Sequence, residues 1–262
     1  MMNENGFTQM AVDEAILNSV IEDRSPPTIR FFNFTPPSIT LGRLQRSEEV
    51  NIEKCSELGI DVVRRITGGR AVIHCSDFTF SLIFKRTGDL LSGSVYETYR
   101  EISSFFHRAL QSLGIPTEWH RGEYKRGVGE SLSKGGRPFC FSAPSRYELL
   151  IGKEKVLGIS QYRKKNSVLV QGTLLLDTIP GFYADLFHPP ITLDGFTDIN
   201  TSYGKEICFN TFRRSLEQEL RKSFPLRLSR KLRSFEERDA ERIEKKYRSL
   251  EWTQGLYSEE KS

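Results

Sequence analysis

Cys140 stands in Pro138-Phe139-Cys140-Phe141-Ser142-Ala143-Pro144-Ser145, directly after a basic, glycine-rich stretch. A cysteine attacks as its thiolate, and nearby cations lower the pKa that controls it. A lone cysteine is also a common packing residue. The second cluster is Arg64-Arg65-Ile66-Thr67-Gly68-Gly69-Arg70-Ala71-Val72-Ile73-His74-Cys75. Two glycines allow a turn that other residues resist and let a ligand approach the main chain. Arginines at its mouth can meet an anion or a carbonyl oxygen. The plain alternative is a hairpin turn with two solvated arginines. His74 and Cys75 are neighbours, yet adjacent residues on a strand point to opposite faces, so they are poorly placed to exchange a proton. Lys155 follows the turn Gly152-Lys153-Glu154, and by position it is a solvated hairpin lysine.

Elements must carry these residues. Val62 and Val63 lead a strand into the arginines. Phe78, Phe80, Leu82 and Phe84 alternate with Thr79, Ser81 and Ile83, a period of two that predicts a second strand. Met10–Ile21 reads as a helix with Val12, Ile16 and Val20 on one face. Ile29–Phe34 and Ser38–Leu41 read as strands. Asn51 caps a short helix with Ile52, Cys55 and Leu58 inward and Gly59 as its stop. Ser94–Leu113 carries the clearest helical period, and Glu118–Arg137 reads as a loop. Tyr147–Ile151, Lys155–Gln161 and Ser167–Leu176 read as strands. Tyr183–Phe187 is one helical turn. Asn210–Lys222 is a helix with Phe212, Leu216 and Leu220 inward, and Glu236–Leu250 is a charged helix with the apolar stripe Ile243, Tyr247, Leu250. Mixed helices and hairpins give an α+β or mixed α/β class.

The 262 residues suit one large domain, here residues 1–262, with about 205–262 as a helical extension. A net charge of +4 is too mild to argue for nucleic acid and does not hinder docking to acidic proteins. The four cysteines, Cys55, Cys75, Cys140 and Cys208, form no CxxC pair, which argues against zinc and a disulfide framework. No metal is expected. No apolar run approaches a membrane span, and MMNENGFTQM lacks the regions of a signal peptide. The expectation is a cytoplasmic protein with reduced thiols.

The run Arg64-Arg65-x-Thr67-Gly68-Gly69-Arg70-Ala71-Val72-x-His74 resembles the signature of the lipoate-protein ligase and octanoyltransferase superfamily, which shares a fold with biotin ligases. Met10–Ala15 and Leu41-Gly42-x-x-Gln45 resemble it too. The ATP-using ligases usually carry three glycines here and a His-Asp followed by Gly-Asn. This chain has Gly-Gly-Arg and His74-Cys75, and Gly-Gly-Arg resembles the branch that moves octanoyl groups through a cysteine. Cys140-Phe141-x-Ala143-Pro144-Ser145-x-Tyr147-Glu148-Leu149 is similar to that branch's acyl-accepting motif. Lys155-Val156-Leu157-Gly158 is similar to the superfamily's lysine setting, with Ile159 larger than the usual serine.

The resemblance implies a central, largely antiparallel mixed sheet flanked by helices. It implies that Cys140 is the nucleophile and that Lys155 is aimed at the acyl carbonyl. It makes Arg65, Thr67, Gly68, Gly69, Arg70, Ala71, His74 and Gly158 candidates for substrate binding, with Arg70 crowding the space of an adenylate. It implies octanoyl-acyl carrier protein as donor. The implied acceptor is a lipoyl-domain protein, the glycine cleavage H protein or a 2-oxoacid dehydrogenase E2 subunit. No cofactor is needed, because a thioester is already activated. An ATP-dependent lipoate ligase, an amidotransferase between lipoyl domains and a non-catalytic lipoyl-domain-binding module remain as alternatives.

Overall fold

The computed structural model describes residues 3–87, 91, 93–119, 149–191, 197–204, 206–227, 229 and 231–255. Five strands form the main sheet in the order β1 (Asn3–Glu4), β2 (Thr28–Phe34), β6 (Asp77–Lys85), β11 (Ser167–Leu175), β10 (Leu157–Lys164). Only β1–β2 is parallel, and the other pairs are antiparallel. A second sheet has the order β4 (Asp61–Arg64), β3 (Ser38–Leu41), β5 (Val72–His74). A third joins β7 (Glu118–Trp119), β8 (Leu149–Ile151) and β9 (Glu154–Lys155). The mixed sheet flanked by helices is the expected α+β class.

The period of two along β6 divides two environments. Phe78, Phe80 and Phe84 face a core with Val168, Val170 and Leu174 of β11, and with the helices α3 (Val95–Ser112) and α5 (Phe209–Arg221). Phe212, Leu216 and Leu220 of α5 are buried there, as their spacing predicts. Each fully buried large apolar side chain contributes about 1.5–3 kcal/mol. Thr79, Ser81 and Ile83 face the other way, where Ile83 packs in the core of α1 (Gly6–Ile21).

Asn5 caps α1 by accepting from the Thr8 N–H, so the helix starts four residues before the periodic Met10. It is buried on most sides rather than along one stripe, because α6 (Ser234–Tyr247) packs on it opposite the sheet. Lys246 Nζ lies 2.7 Å from Glu14, and the Tyr247 hydroxyl donates to the same carboxylate at 2.6 Å. Asn51 caps α2 (Ile52–Glu57), with Cys55 fully buried. Two inward assignments fail. Leu58 is 51 % exposed because α2 ends before it, and Leu250 is 70 % exposed because it opens a separate helix, α7 (Leu250–Gln254). Glu118–Trp119 is strand, not loop, because it pairs with β8. The helix α4 (Ile199–Tyr203) completes the set.

Candidate active site

The Gly68-Gly69 turn is built from within. Gly69 has φ +93°, and a side chain at Gly42 would meet the Gly69 carbonyl oxygen at 1.8 Å. Both positions therefore require glycine. Arg65 is buried, and its guanidinium donates to the carbonyls of Thr40, Gly68 and Arg70 at 2.8, 2.8 and 2.7 Å. The plain alternative of two solvated arginines fails, since both are buried against backbone carbonyls. Arg64 does the same elsewhere. It donates to Gly42, Gln45, Trp252 and Thr253 carbonyls at 2.6–3.0 Å, and Trp252 Nε1 donates back to the Arg64 carbonyl. Burial lowers its pKa, yet an arginine stays charged.

Arg64 thus ties α7 to the segment 42–45. Arg64→Ala is expected to lose about 3–5 kcal/mol of stability, since it leaves buried carbonyls unsatisfied. Arg64→Lys cannot restore the fork. Urea unfolding checks this, and a loss under about 1 kcal/mol would contradict it.

A pocket opens between the main sheet and the sheet that holds β3 and β5. Met10, Phe32, Phe34, Val72 and Ile159 supply apolar walls, while Gly158, Ser160, Gln171 and Thr173 line it from β10 and β11. From β10 to β2 it crosses three inter-strand steps, roughly 14 Å at ~4.8 Å each. Ile159 neither shifts nor breaks the strand. It pairs with Gly172, and the register runs without interruption from Leu157↔Leu174 to Lys164↔Ser167.

At the β2 end, His74 is 4 % exposed and stacks on Phe34, with ring centroids 4.1 Å apart. Its Nδ1 lies 2.7 Å from Asp77 Oδ2, and its Nε2 lies 3.0 Å from Thr40 Oγ1. Thr79 Oγ1 donates to Asp77 at 2.6 Å. The resemblance leads one to expect an aspartate at Cys75, but here a carboxylate reaches His74 from Asp77, three residues on. Asp77 and Thr40 were missed by sequence reasoning. An acid three residues after the histidine was the available signal.

A second polar row crosses the sheet beside the pocket. Ser160, Gln171, Ser81 and Arg30 are successive cross-strand partners. Asp13 of α1 accepts from Gln171 Nε2 at 2.7 Å and from Ser81 at 2.6 Å, and it pairs with Arg30. Gln171 Oε1 accepts from Thr67 Oγ1 at 2.7 Å, and Arg65 Nε donates to Thr67 Oγ1 at 3.1 Å. One chain of hydrogen bonds therefore links the turn to the Asp13–Arg30 pair between α1 and β2.

Of the expected binding residues, Arg65, His74 and Gly158 line the pocket. Thr67 is buried in the polar row, and Ala71 is fully buried in the core of the second sheet. Gly68, Gly69 and Arg70 form the turn itself. Lys155 is not a solvated hairpin charge. It is 1 % exposed on β9, which pairs with β8 at one end of the chain reversal before β10. Cys140 and most of the basic loop lie outside the described residues.

The other thiols differ sharply. Cys75 packs against the second-sheet core, away from the pocket that His74 lines. Burial, and then the Asp77 charge, push its pKa up to about 12. Burial pushes Cys55 to about 11. Cys208 is exposed, and its hydrogen bond with Thr211 lowers its pKa.

Comparison with known proteins places this architecture. The sequence model described as the lipoyl protein ligase A/B catalytic domain matches residues 5–221. Octanoyltransferase LipM of Moorella thermoacetica is 38 % identical over 176 residues, covering 65 % of this chain and 61 % of that protein. Octanoyltransferase LipM of Exiguobacterium sibiricum is 32 % identical over 259 residues, covering 93 % and 92 %. The chain thus spans less than two thirds of the Moorella relative and nearly all of the Exiguobacterium one. A lipoate-protein ligase A bound with ATP superposes with a TM-score of 0.76 at 23 % identity, over 97 % of this chain and 96 % of that one. A bipartite lipoate protein ligase from Thermoplasma acidophilum gives 0.72 at 19 %, over 99 % and 98 %. These structural likenesses concern the fold. On the match over residues 5–221 and the identity over nearly the whole chain, the protein belongs to the lipoyl protein ligase A/B catalytic-domain family.

Proposed function

We propose that the protein is an octanoyltransferase that moves an octanoyl group from acyl carrier protein, through a Cys140 thioester, to a lysine of a lipoyl domain. The observation that carries this is the apolar pocket laid across the main sheet from Gly158 to Phe34. Burying eight carbons there is worth about 5–6 kcal/mol at most, at ~0.8 per methylene. The relatives' name, octanoyltransferase, supports the transfer of an octanoyl group.

In this mechanism the Cys140 thiolate attacks the donor thioester, the carrier thiol leaves, and an acyl-enzyme forms. Lys155, three residues before Gly158, stabilises the developing oxyanion with nearby backbone amides. The tail lies over Gly158 and Thr173 toward Phe34, and His74 closes the far end. The acceptor lysine's ε-amine then attacks, giving an amide and returning the thiol. Arg65 and Thr67 hold the turn that shapes the mouth.

Intact mass after mixing the protein with octanoyl-acyl carrier protein, without ATP, tests the function. The expected result is one octanoyl adduct, discharged by a lipoyl-domain protein. No adduct overturns the proposal. Gly-Gly-Arg at Gly68–Arg70 also predicts that lipoate stimulates no release of pyrophosphate from ATP. Lipoate-dependent pyrophosphate release would favour an ATP-dependent ligase instead.

A further inference from the structure

A second pocket lies between α1, β10, α6 and α7. Arg43, Lys164 and Lys246 converge on it, with Tyr162 and Trp252 as aromatic walls and Glu14 as the one carboxylate among the described residues of its lining. Glu14 is engaged by Lys246 and by the Tyr247 hydroxyl. Lys246 Nζ sits 3.7 Å from the centre of the Trp252 ring, and the Arg43 guanidinium lies over Tyr162 at 5.5 Å. Aromatic faces thus orient two of the cations. Lys164 is exposed and makes no ion pair among the described residues. Burial lowers the Lys246 pKa, Glu14 opposes this, and Arg43 and Lys164 lower it further. Among the described residues, three cations line the pocket against one carboxylate. Such a site suits a compact anion with several acceptor oxygens.

The two pockets share one face of β10. Ser160 lines the acyl pocket, while Tyr162 and Lys164, two and four residues on, line the cationic one. Ser160 and Lys164 are about 13 Å apart at the rise of an extended strand. The Gly68-Gly69 turn lies beside both, because the Arg43 N–H donates to the Thr67 carbonyl at 2.9 Å. An acyl carrier protein presents its thioester on a flexible arm joined to the protein through a phosphodiester.

We propose that the pocket of Arg43, Lys164 and Lys246 binds the phosphate of the donor's thioester arm while the acyl group enters the adjacent pocket. This rests on the octanoyltransferase function proposed above. It makes the enzyme a reader of phosphorylated donors.

Two measurements test it. In the first, octanoyl-4′-phosphopantetheine and octanoyl-pantetheine are compared as donors for enzyme acylation. The phosphorylated donor is expected to be at least about tenfold better in kcat/KM, the size of a charge-assisted hydrogen bond. In Arg43→Gln/Lys164→Gln the ratio is expected to fall within about twofold, and salt is expected to shrink it in the wild type. Equal rates in the wild type, or a ratio that survives the double substitution, overturn the proposal.

The second measurement needs no turnover. Trp119→Phe leaves Trp252 as the only tryptophan of the two. Its fluorescence is titrated with phosphopantetheine, pantetheine and inorganic phosphate. Saturable change with phosphopantetheine, weaker with pantetheine and lost in the Arg43/Lys164 variant, is expected. No such change overturns the site even if acylation proceeds. If neither donor acylates the protein but this response is present, the function has failed and the phosphate site has not. Equal affinity for phosphate alone and for the arm overturns the assignment to the donor.

Discussion

Cys140→Ser is expected to abolish octanoyl transfer and to leave no hydroxylamine-labile adduct. A serine hydroxyl is far harder to ionise than a thiol, and losing the nucleophile commonly costs a thousandfold or more. Cys75→Ser is expected to keep most of the activity. The Cys75 thiol is pushed up to about 12, so almost none of it is thiolate at neutral pH. It also packs toward the second-sheet core and not into the acyl pocket. Burial removes Cys55 from consideration in the same way. Cys208 is the instructive control. Exposed and lowered in pKa, it is set to scavenge reactive acyl groups without taking part in transfer. Cys208→Ser is therefore included, and only transfer-competent adduct is counted. Full turnover in Cys140→Ser would remove the covalent mechanism.

Lys155→Ala is expected to slow acylation by about a hundredfold or more, the usual cost of one interaction aimed at the oxyanion. Because Lys155 is 1 % exposed, truncation should also reduce stability, by about 2–3 kcal/mol. An exposed hairpin lysine would have shown no such loss. The two effects separate in Lys155→Met, which keeps most of the stem's volume and removes the charge. Stability should largely return while acylation stays slow, with rates measured well below the unfolding midpoint. Near-normal acylation by the methionine variant would make Lys155 a packing residue.

Local patterns in the sequence carried much of the fold. The alternation from Phe78 to Phe84 divides the helix-covered face of β6 from the face toward α1 and the pocket. Asn51 and Ser94 cap α2 and α3 where their residue types place caps. Leu58 and Leu250 misled because periodicity marks a stripe but not where the helix stops; each lies just beyond or at the edge of the helix assumed to bury it. Lys155 misled for a related reason. A turn suggests exposure, but β9 pairs with β8 in a third sheet, and pairing at that distance leaves no local trace.

The site was legible where its residues are neighbours in sequence, as from Arg64 to His74. The rest joins residues far apart. Gln171 meets Thr67 across 104 positions and Asp13 across 158, so neither partner predicts the other. A buried acid inside the apolar run of α1 did carry a signal of its own. Asp13 needs a cation, and Arg30, in a strand otherwise rich in aromatic residues, supplies it. The Asp77 contact to His74 also stood within reach, three residues along the chain.

Peptide mapping of the trapped octanoyl-enzyme tests the covalent assignment most directly. The protein is acylated by octanoyl-acyl carrier protein without acceptor, quenched in acid and digested. The octanoyl group is expected on the peptide containing Cys140 and to be released by hydroxylamine. An octanoyl group found instead on the Cys75 peptide would contradict the account.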